Sequence, residues 1–538
     1  MRASEHISVL LLGVVLFGIC VSHRANALPP VVHARQMHPI YPALIRNDTN
    51  NVLQFNVIVM CEQAILENVI LDFSGTDELN DVAQTTLYTG GPNGQLLTTT
   101  DLGSTHSTSR IVRFRLDHEL KQGDNWFWVS CQVNPKASLL HEIGVQCVSI
   151  GTSEGGIKPQ AASSPNRIGY ALCQHQEGGT HTYRIPAVAR AKDGSLLAVF
   201  DMRHTKSRDL QEDIDIGLCK STDGGQTWSP PRPIMDRGKW GGRSESHNGI
   251  SDPGIIVDPV TGKIFCFAVW MHGKPGKHQW TADGSEPGYE IGKAAQFLMA
   301  SSVDHGETWS DLHNMTRALK QKEWVLFAPS PQNGISLRDG TLLAPVQGRN
   351  KDGNPFSTIM TSQDHGKSWK VAKPAFVGSS ECQAVELRDG RIMLNMRSKR
   401  TSGKNRRSVF VTSDRGMTWK PHSTHQKALI EPYCNGSTIR VDYEEHGERK
   451  SVLLFANPQS TKSRVNHTIQ VSFNEGLTWP KSHHHLLDTG LGFGYPSLVQ
   501  IDPKHVGIVF EGSRSHIMFM KFTIAELTDG SQKPGSGQ

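Results

Sequence analysis

An eight-residue phrase recurs five times in the C-terminal two-thirds of this 538-residue chain and limits its fold more than any other feature. It reads STDGGQTW (Ser221–Trp228), SVDHGETW (Ser302–Trp309), SQDHGKSW (Ser362–Trp369), TSDRGMTW (Thr412–Trp419) and SFNEGLTW (Ser472–Trp479). The last copy has Asn474 where the others carry Asp. The tryptophans step by 81, 60, 50 and 60 residues. Each phrase holds the parts of a tight turn between two strands. A carboxylate accepts local backbone N–H groups, a glycine takes a backbone angle that side chains resist, and an indole packs between neighbouring sheets. Self-similarity at this period, with strands between the copies, predicts a β-propeller. The five Asp and Asn positions read as structural, because five equivalent outward turns cannot all face one site.

The front of the chain is different. Arg2, the apolar run from Ile7 to Cys20 and the small-residue pattern Ala25-Asn26-Ala27 mark residues 1–27 as a secretory signal peptide. A periplasmic or secreted mature protein without a membrane span is expected, since no other run of about 18 apolar residues occurs. Residues 28–160 alternate apolar and polar side chains around Val52–Val59, Ile111–Leu116 and Trp126–Ser130. That pattern predicts a β-sandwich, with carbohydrate binding as its candidate role. Gly151–Asn166, rich in Gly, Ser and Pro, reads as a linker to a propeller over residues 167–525.

Eight cysteines remain after the signal peptide, scattered and without a metal-ligand spacing. They are expected to be small buried hydrophobes, with a Cys131–Cys147 disulfide left open. His483-His484-His485 reads as a polar loop, and neither metal nor cofactor is expected. The net charge of +5 is not gathered into a basic block, which argues against nucleic acid as a partner.

Together with Tyr183-Arg184-Ile185-Pro186 upstream, the repeats resemble those of bacterial sialidases over roughly residues 170–522. The resemblance implies an all-β chain: a six-bladed β-propeller with an N-terminal β-sandwich domain. It also implies a retaining exo-sialidase that releases terminal sialic acids from glycans such as mucins. Sialic acid carries a carboxylate on its anomeric carbon, and guanidinium groups grip such an anion best through paired charge-assisted hydrogen bonds. The family's three arginines match Arg184 in YRIP, Arg397 in LNMR and Arg464 in RVNHT. A carboxylate nucleophile would be repelled by the substrate's own charge, and sialidases use a tyrosine instead. A phenol needs a neighbouring base. The matching residues are Tyr495 in GFGYPSLVQ and Glu381 in SSECQAVELRDG; Glu386 is set aside because it sits by the Arg388-Asp389-Gly390 turn.

The resemblance implies a general acid shortly after the YRIP strand, about two dozen residues past its Arg, on the stretch DMRHTKSRDLQED. Asp209, 25 residues after Arg184, is the first choice, with Asp201, Asp213 and Asp215 as alternatives. The resemblance further places Arg203 near the sugar ring, Asp252 of SDPG near the N-acetyl or glycerol side, and Glu511 of IVFEGSR behind Arg184. An intramolecular trans-sialidase would share every one of these residues. A non-catalytic sialic-acid-binding propeller should lack part of the Tyr, Glu and Asp set, and all three are present.

Overall fold

The computed structural model describes residues 31–106, 109–160, 164–210, 212–271, 284–398 and 403–530. The expected signal peptide lies outside the described residues. The repeat region forms six blades. The first comprises Thr182–Arg190, Leu196–Arg203, Ile214–Ser221 and Arg232–Met235. The second comprises Ile250–Val257, Ile264–Trp270, Gln296–Ser302 and His313–Asn314. The third is built on Leu342–Arg349 and Pro355–Ser362, flanked by Leu326–Pro329, Ile335–Ser336 and Lys370–Val371. The fourth holds Ser379–Glu386, Ile392–Ser398, Ser408–Thr412 and Lys420–Pro421. The fifth holds Ser437–Glu445, Glu448–Pro458, His467–Ser472 and His484–Asp488. In the sixth, Gly494–Gln500, His505–Glu511 and Ile517–Thr523 are joined by Asn166–Cys173, a strand from far upstream.

This closure explains why six blades carry five repeated phrases. Each phrase is the turn between the third and fourth strands of a blade. In the sixth blade the fourth strand arrives from elsewhere, so no such turn exists. The turn chemistry is as the residues suggest. Asp223 accepts from the Ser221 hydroxyl at 2.8 Å, the Thr227 amide at 2.9 Å and the Thr227 hydroxyl at 2.6 Å. Equivalent bonds hold the Asp414 carboxyl down at about 2. Asn474 instead donates to the Thr478 hydroxyl while accepting the Thr478 amide, each at 2.9 Å, so an amide serves where a carboxylate stands elsewhere. The indoles join each blade to the one before. Trp228 meets Phe519 of the sixth blade edge-on, and Trp369 meets Phe265 and Phe267 of the second.

The N-terminal region is one seven-stranded sheet, not two separate ones. Its central strands, Asn50–Asp72 and Ile111–Val133, are 23 residues each and pair along their length across three register breaks. Val31–Met37 pairs with the first half of Asn50–Asp72 and Gln146–Thr152 with the second. Phe55 and Val57 from one half and Val69 and Leu71 from the other bury into a single cluster. The sheet therefore bends over itself, and both layers of the expected sandwich share the same two strands.

Gly151–Asn166 departs from the linker expectation. Gly155–Ile157 adds a strand to the N-terminal sheet, Gln160 O accepts from the Gln36 amide at 2.9 Å, and the Asn166 amide donates to Pro39 O and Tyr41 O. Ala43–Ile45 also pairs in parallel with Ile168–Tyr170, and the N-terminal cluster continues through Tyr170, Phe200, Val509 and Phe519 of the propeller. A Gly, Ser and Pro composition signals flexibility, but side-chain amides that find backbone partners cancel it. All eight cysteines are free, Cys131 and Cys147 included, and all but Cys61 are buried. Among the described residues no helix is long and apolar enough to cross a membrane.

Candidate active site

The innermost strands of four blades break register at corresponding places: between Arg184 and Ala187, Ser251 and Gly254, Ser379 and Cys382, and Gly494 and Ser497. Ile185 has φ 57° and Asp252 φ 61°. A β-branched residue in this left-handed region costs about 1–3 kcal/mol, which the surrounding packing must hold in place. Such breaks re-aim side chains. Here they turn Arg184, Asp252, Glu381 and Tyr495 onto the wall of one cavity of about 850 Å³, which Asp209, Arg397 and Arg464 also line.

At its floor the Tyr495 hydroxyl donates a hydrogen bond to Glu381 Oε1. Arg397 Nη1 donates to Glu381 Oε2 at 2.6 Å and to Tyr495 Oη at 3.0 Å. Burial and the Glu381 charge push the phenol's pKa well up, while Arg397 and Arg464 pull it back. At rest the phenol keeps its proton and aims it at a base.

Arg184 is held from behind. Its Nε donates to Glu511 Oε1 at 2.6 Å, its Nη2 to Oε2 at 3.4 Å, and the Ile185 amide to Oε1 at 2.6 Å; Glu511 itself is fully buried. Burial works against the guanidinium's charge, but Glu511, with Asp209 and Tyr495, more than restores it. The Arg184 guanidinium lies 4.2 Å from the Phe493 ring centre and 5.5 Å from that of Tyr495. Arg464 stands 5.5 Å from the same Tyr495 ring and donates to Phe493 O at 2.7 Å. Three guanidinium groups from the first, fourth and fifth blades thus surround one phenol.

Asp209 sits on the loop between the second and third strands of the first blade, its side chain 34% exposed and 2.7 Å from Arg203 Nη1. Arg203 stands directly behind Asp209. Its side chain is fully buried, with Nε and Nη2 on Asp201 at 3.1 and 2.8 Å and Nη1 also on Ser207 O. It braces Asp209 and does not reach the cavity wall. Asp201 is likewise buried, binding Arg203, the Ser251 hydroxyl and the Asp252 amide. Burial, then Asp201, Glu381 and Asp209, pushes Asp252 well above the usual carboxylate range. Asp213 and Asp215 do not line the cavity; Asp215 pairs with His204 at 2.9 Å. Glu386 accepts the Arg338 amide at the surface, away from Tyr495. Of the four aspartates weighed as acids, Asp209 alone lines the cavity.

Sequence reasoning missed Gln347, Arg349, Tyr433 and Lys462, which complete the wall. A positional signal existed for Arg349. Like Arg203 and Arg397, it lies at the end of the second strand of its blade.

Comparison with known proteins places the chain in a family. A family model described as a BNR repeat-like domain matches residues 185–486, and one for the N-terminal domain of BNR-repeat neuraminidase matches residues 32–155. The sialidase of Bacteroides fragilis is 33% identical over 522 residues, covering 90% of this chain and 94% of that protein. This chain belongs to the BNR-repeat sialidase family. The sialidase of Micromonospora viridifaciens is 33% identical over 361 residues, covering 65% of this chain and 52% of that protein. Among solved structures, the Hadza microbial sialidase Hz136 superposes with a TM-score of 0.86 at 33% identity, covering 91% of this chain and 99% of that one. This sialidase is accordingly an exo-α-sialidase, a glycoside hydrolase whose substrates are sialylated glycans.

Proposed function

We propose that this sialidase cleaves with retention through a sialyl-tyrosine intermediate. The observation that carries the reading is the Tyr495–Glu381 hydrogen bond with Arg397 on both partners. Arg184, Arg397 and Arg464 hold the sugar's carboxylate. Tyr495 Oη attacks the anomeric carbon as its proton passes to Glu381. Asp209 protonates the departing glycosidic oxygen, and the bond to the glycan breaks. Asp209, now ionised, takes a proton from water, which displaces Tyr495 from the anomeric carbon and releases sialic acid, while Glu381 returns its proton to the departing Tyr495 Oη. Arg203 acts through Asp209 by fixing the position of its carboxyl group. Mucin-type sialoglycans and a periplasmic or secreted setting fit this chemistry.

The test is Tyr495→Phe. Glu381 and Arg397 stay paired at 2.6 Å without the hydroxyl, so the anion site survives. Turnover of a fluorogenic sialoside should fall by about a thousandfold or more while sialic acid affinity stays within about tenfold. Turnover at the native rate would refute the mechanism. NMR of the released sugar separates hydrolysis from intramolecular transfer.

A further inference from the structure

We propose that His204, Asp213 and Asp215 form a divalent-cation site, of the zinc class, at the neck of the loop that carries Asp209. His204 directly follows the strand Leu196–Arg203, and Asp213 and Asp215 flank the start of Ile214–Ser221. One ligand atom from each of the three lies within 4.8 Å of the others. None of them lines the catalytic cavity.

The second observation is an orphaned oxygen. Asp215 is only 8% exposed. Its Oδ2 lies 2.9 Å from His204 Nε2, but its Oδ1 is buried with no hydrogen-bond partner. A buried carboxylate oxygen without a donor calls for an explanation, and a role as a cation ligand supplies one. Asp236 and Glu245 stand close enough to add to the negative charge that Asp213 and Asp215 feel. One imidazole therefore stands with two carboxylates in a field made more negative by two others.

The donor set selects the ion. An imidazole nitrogen with two carboxylates suits zinc and its neighbours, whereas calcium and magnesium favour all-oxygen shells. Tetrahedral bonds of about 2.0–2.1 Å require ligand atoms about 3.3 Å apart, so loading would draw the three together by up to about 1.5 Å. The loop ends are already tied by His204 N to Asp213 O at 3.1 Å and by the Thr205 hydroxyl to Glu212 at 2.8 Å. Arg203, next to His204, holds Asp209. A cation at this neck would fix the segment that positions Asp209.

The inference does not depend on the covalent mechanism, and its test does not read hydrolysis. The full chain, freed of metal with a chelator, is titrated with zinc chloride by calorimetry. One equivalent should bind with a Kd of about 10 μM or tighter. His204→Asn and Asp213→Asn should each weaken binding at least about tenfold, with unchanged circular dichroism. Zinc should also slow amide hydrogen exchange across residues 204–213. Absence of binding at 100-fold excess zinc, binding that survives both substitutions, or calcium binding tighter than zinc would each overturn the proposal.

Discussion

Removing the carboxylate behind Arg184 should separate what holds the site together from what reacts. Glu511 accepts three hydrogen bonds, two of them at 2.6 Å, and is fully buried; Arg184 is 7% exposed. Glu511→Ala leaves a buried guanidinium without its counter-charge and frees the Ile185 amide at φ 57°. Breaking one side of such a pair costs about 3–5 kcal/mol, a large share of the roughly 5–15 kcal/mol that holds a domain folded. Glu511→Gln keeps the shape and one acceptor. Charge-assisted hydrogen bonds are about twice as strong as neutral ones, so about half of that loss is expected. The assay is urea unfolding of both variants, with sialoside kinetics under conditions where each is folded. Stability should fall in the order native, Gln, Ala. KM should rise more than kcat falls, because the Tyr495, Glu381 and Arg397 group is untouched. Adding Arg184→Met to Glu511→Ala should restore part of the stability and none of the activity, since it removes the stranded charge. A Glu511→Ala protein within about 0.5 kcal/mol of native, or a double variant as unstable as the summed single losses, would refute the reasoning.

Three further outcomes follow from particular contacts. Asp209→Asn should slow cleavage of glycans with poor leaving groups far more than that of activated aryl sialosides; equal slowing would remove Asp209 as the acid. Burial, then His175, His181 and Arg184, holds His516 down at about 4 against an ordinary 6.5. Its neutral form supports the fold above pH 6.5, and that support is lost as pH falls toward 4. His516→Asn, which keeps an acceptor for the Tyr183 amide, should lose less thermal stability than native between pH 7 and 4.5; parallel losses would contradict this. Gly366→Ala would place a methyl 2.0 Å from the Phe265 ring at φ 80°, whereas Gly340→Ala at φ 83° meets open space. The first should cost about 1–3 kcal/mol more than the second in chemical denaturation, and equal costs would show that ring packing is not what the glycine protects.

The propeller was legible because its signal is local. Asp223 and its counterparts bond within five residues, so the chemistry of each turn is written in one short phrase. The closing strand Asn166–Cys173 has no such phrase, and its pairing with Ile517–Thr523 is set by partners more than 300 residues away. The bend that folds one sheet into two layers was equally hidden, since register breaks within Asn50–Asp72 interrupt the alternation that marks a strand. In the site, Tyr495, Glu381 and the three arginines are marked by their motif contexts; bulged inner strands carry Arg184, Glu381 and Tyr495 to the cavity that Arg397 and Arg464 also line. Arg203 ends the same kind of strand as Arg397, but Asp201, two residues earlier, takes its Nε and Nη2 and leaves Nη1 for Asp209. How such an arginine divides between core and site depends on a neighbour's charge, which strand pattern does not report.

The mixed origin of the sixth blade bears on synthesis. Tyr495 and Glu511 lie in strands translated late, while the strand that completes their blade emerges more than 300 residues before them. Until then that early strand waits with one flank already occupied by Ala43–Ile45 and the other bare, a shielded half-zipper less prone to stray pairing than a naked one. A nascent chain halted short of these last strands has neither its attacking hydroxyl nor a sealed ring. Glycan cleavage therefore waits for the strands that carry Tyr495 and Glu511.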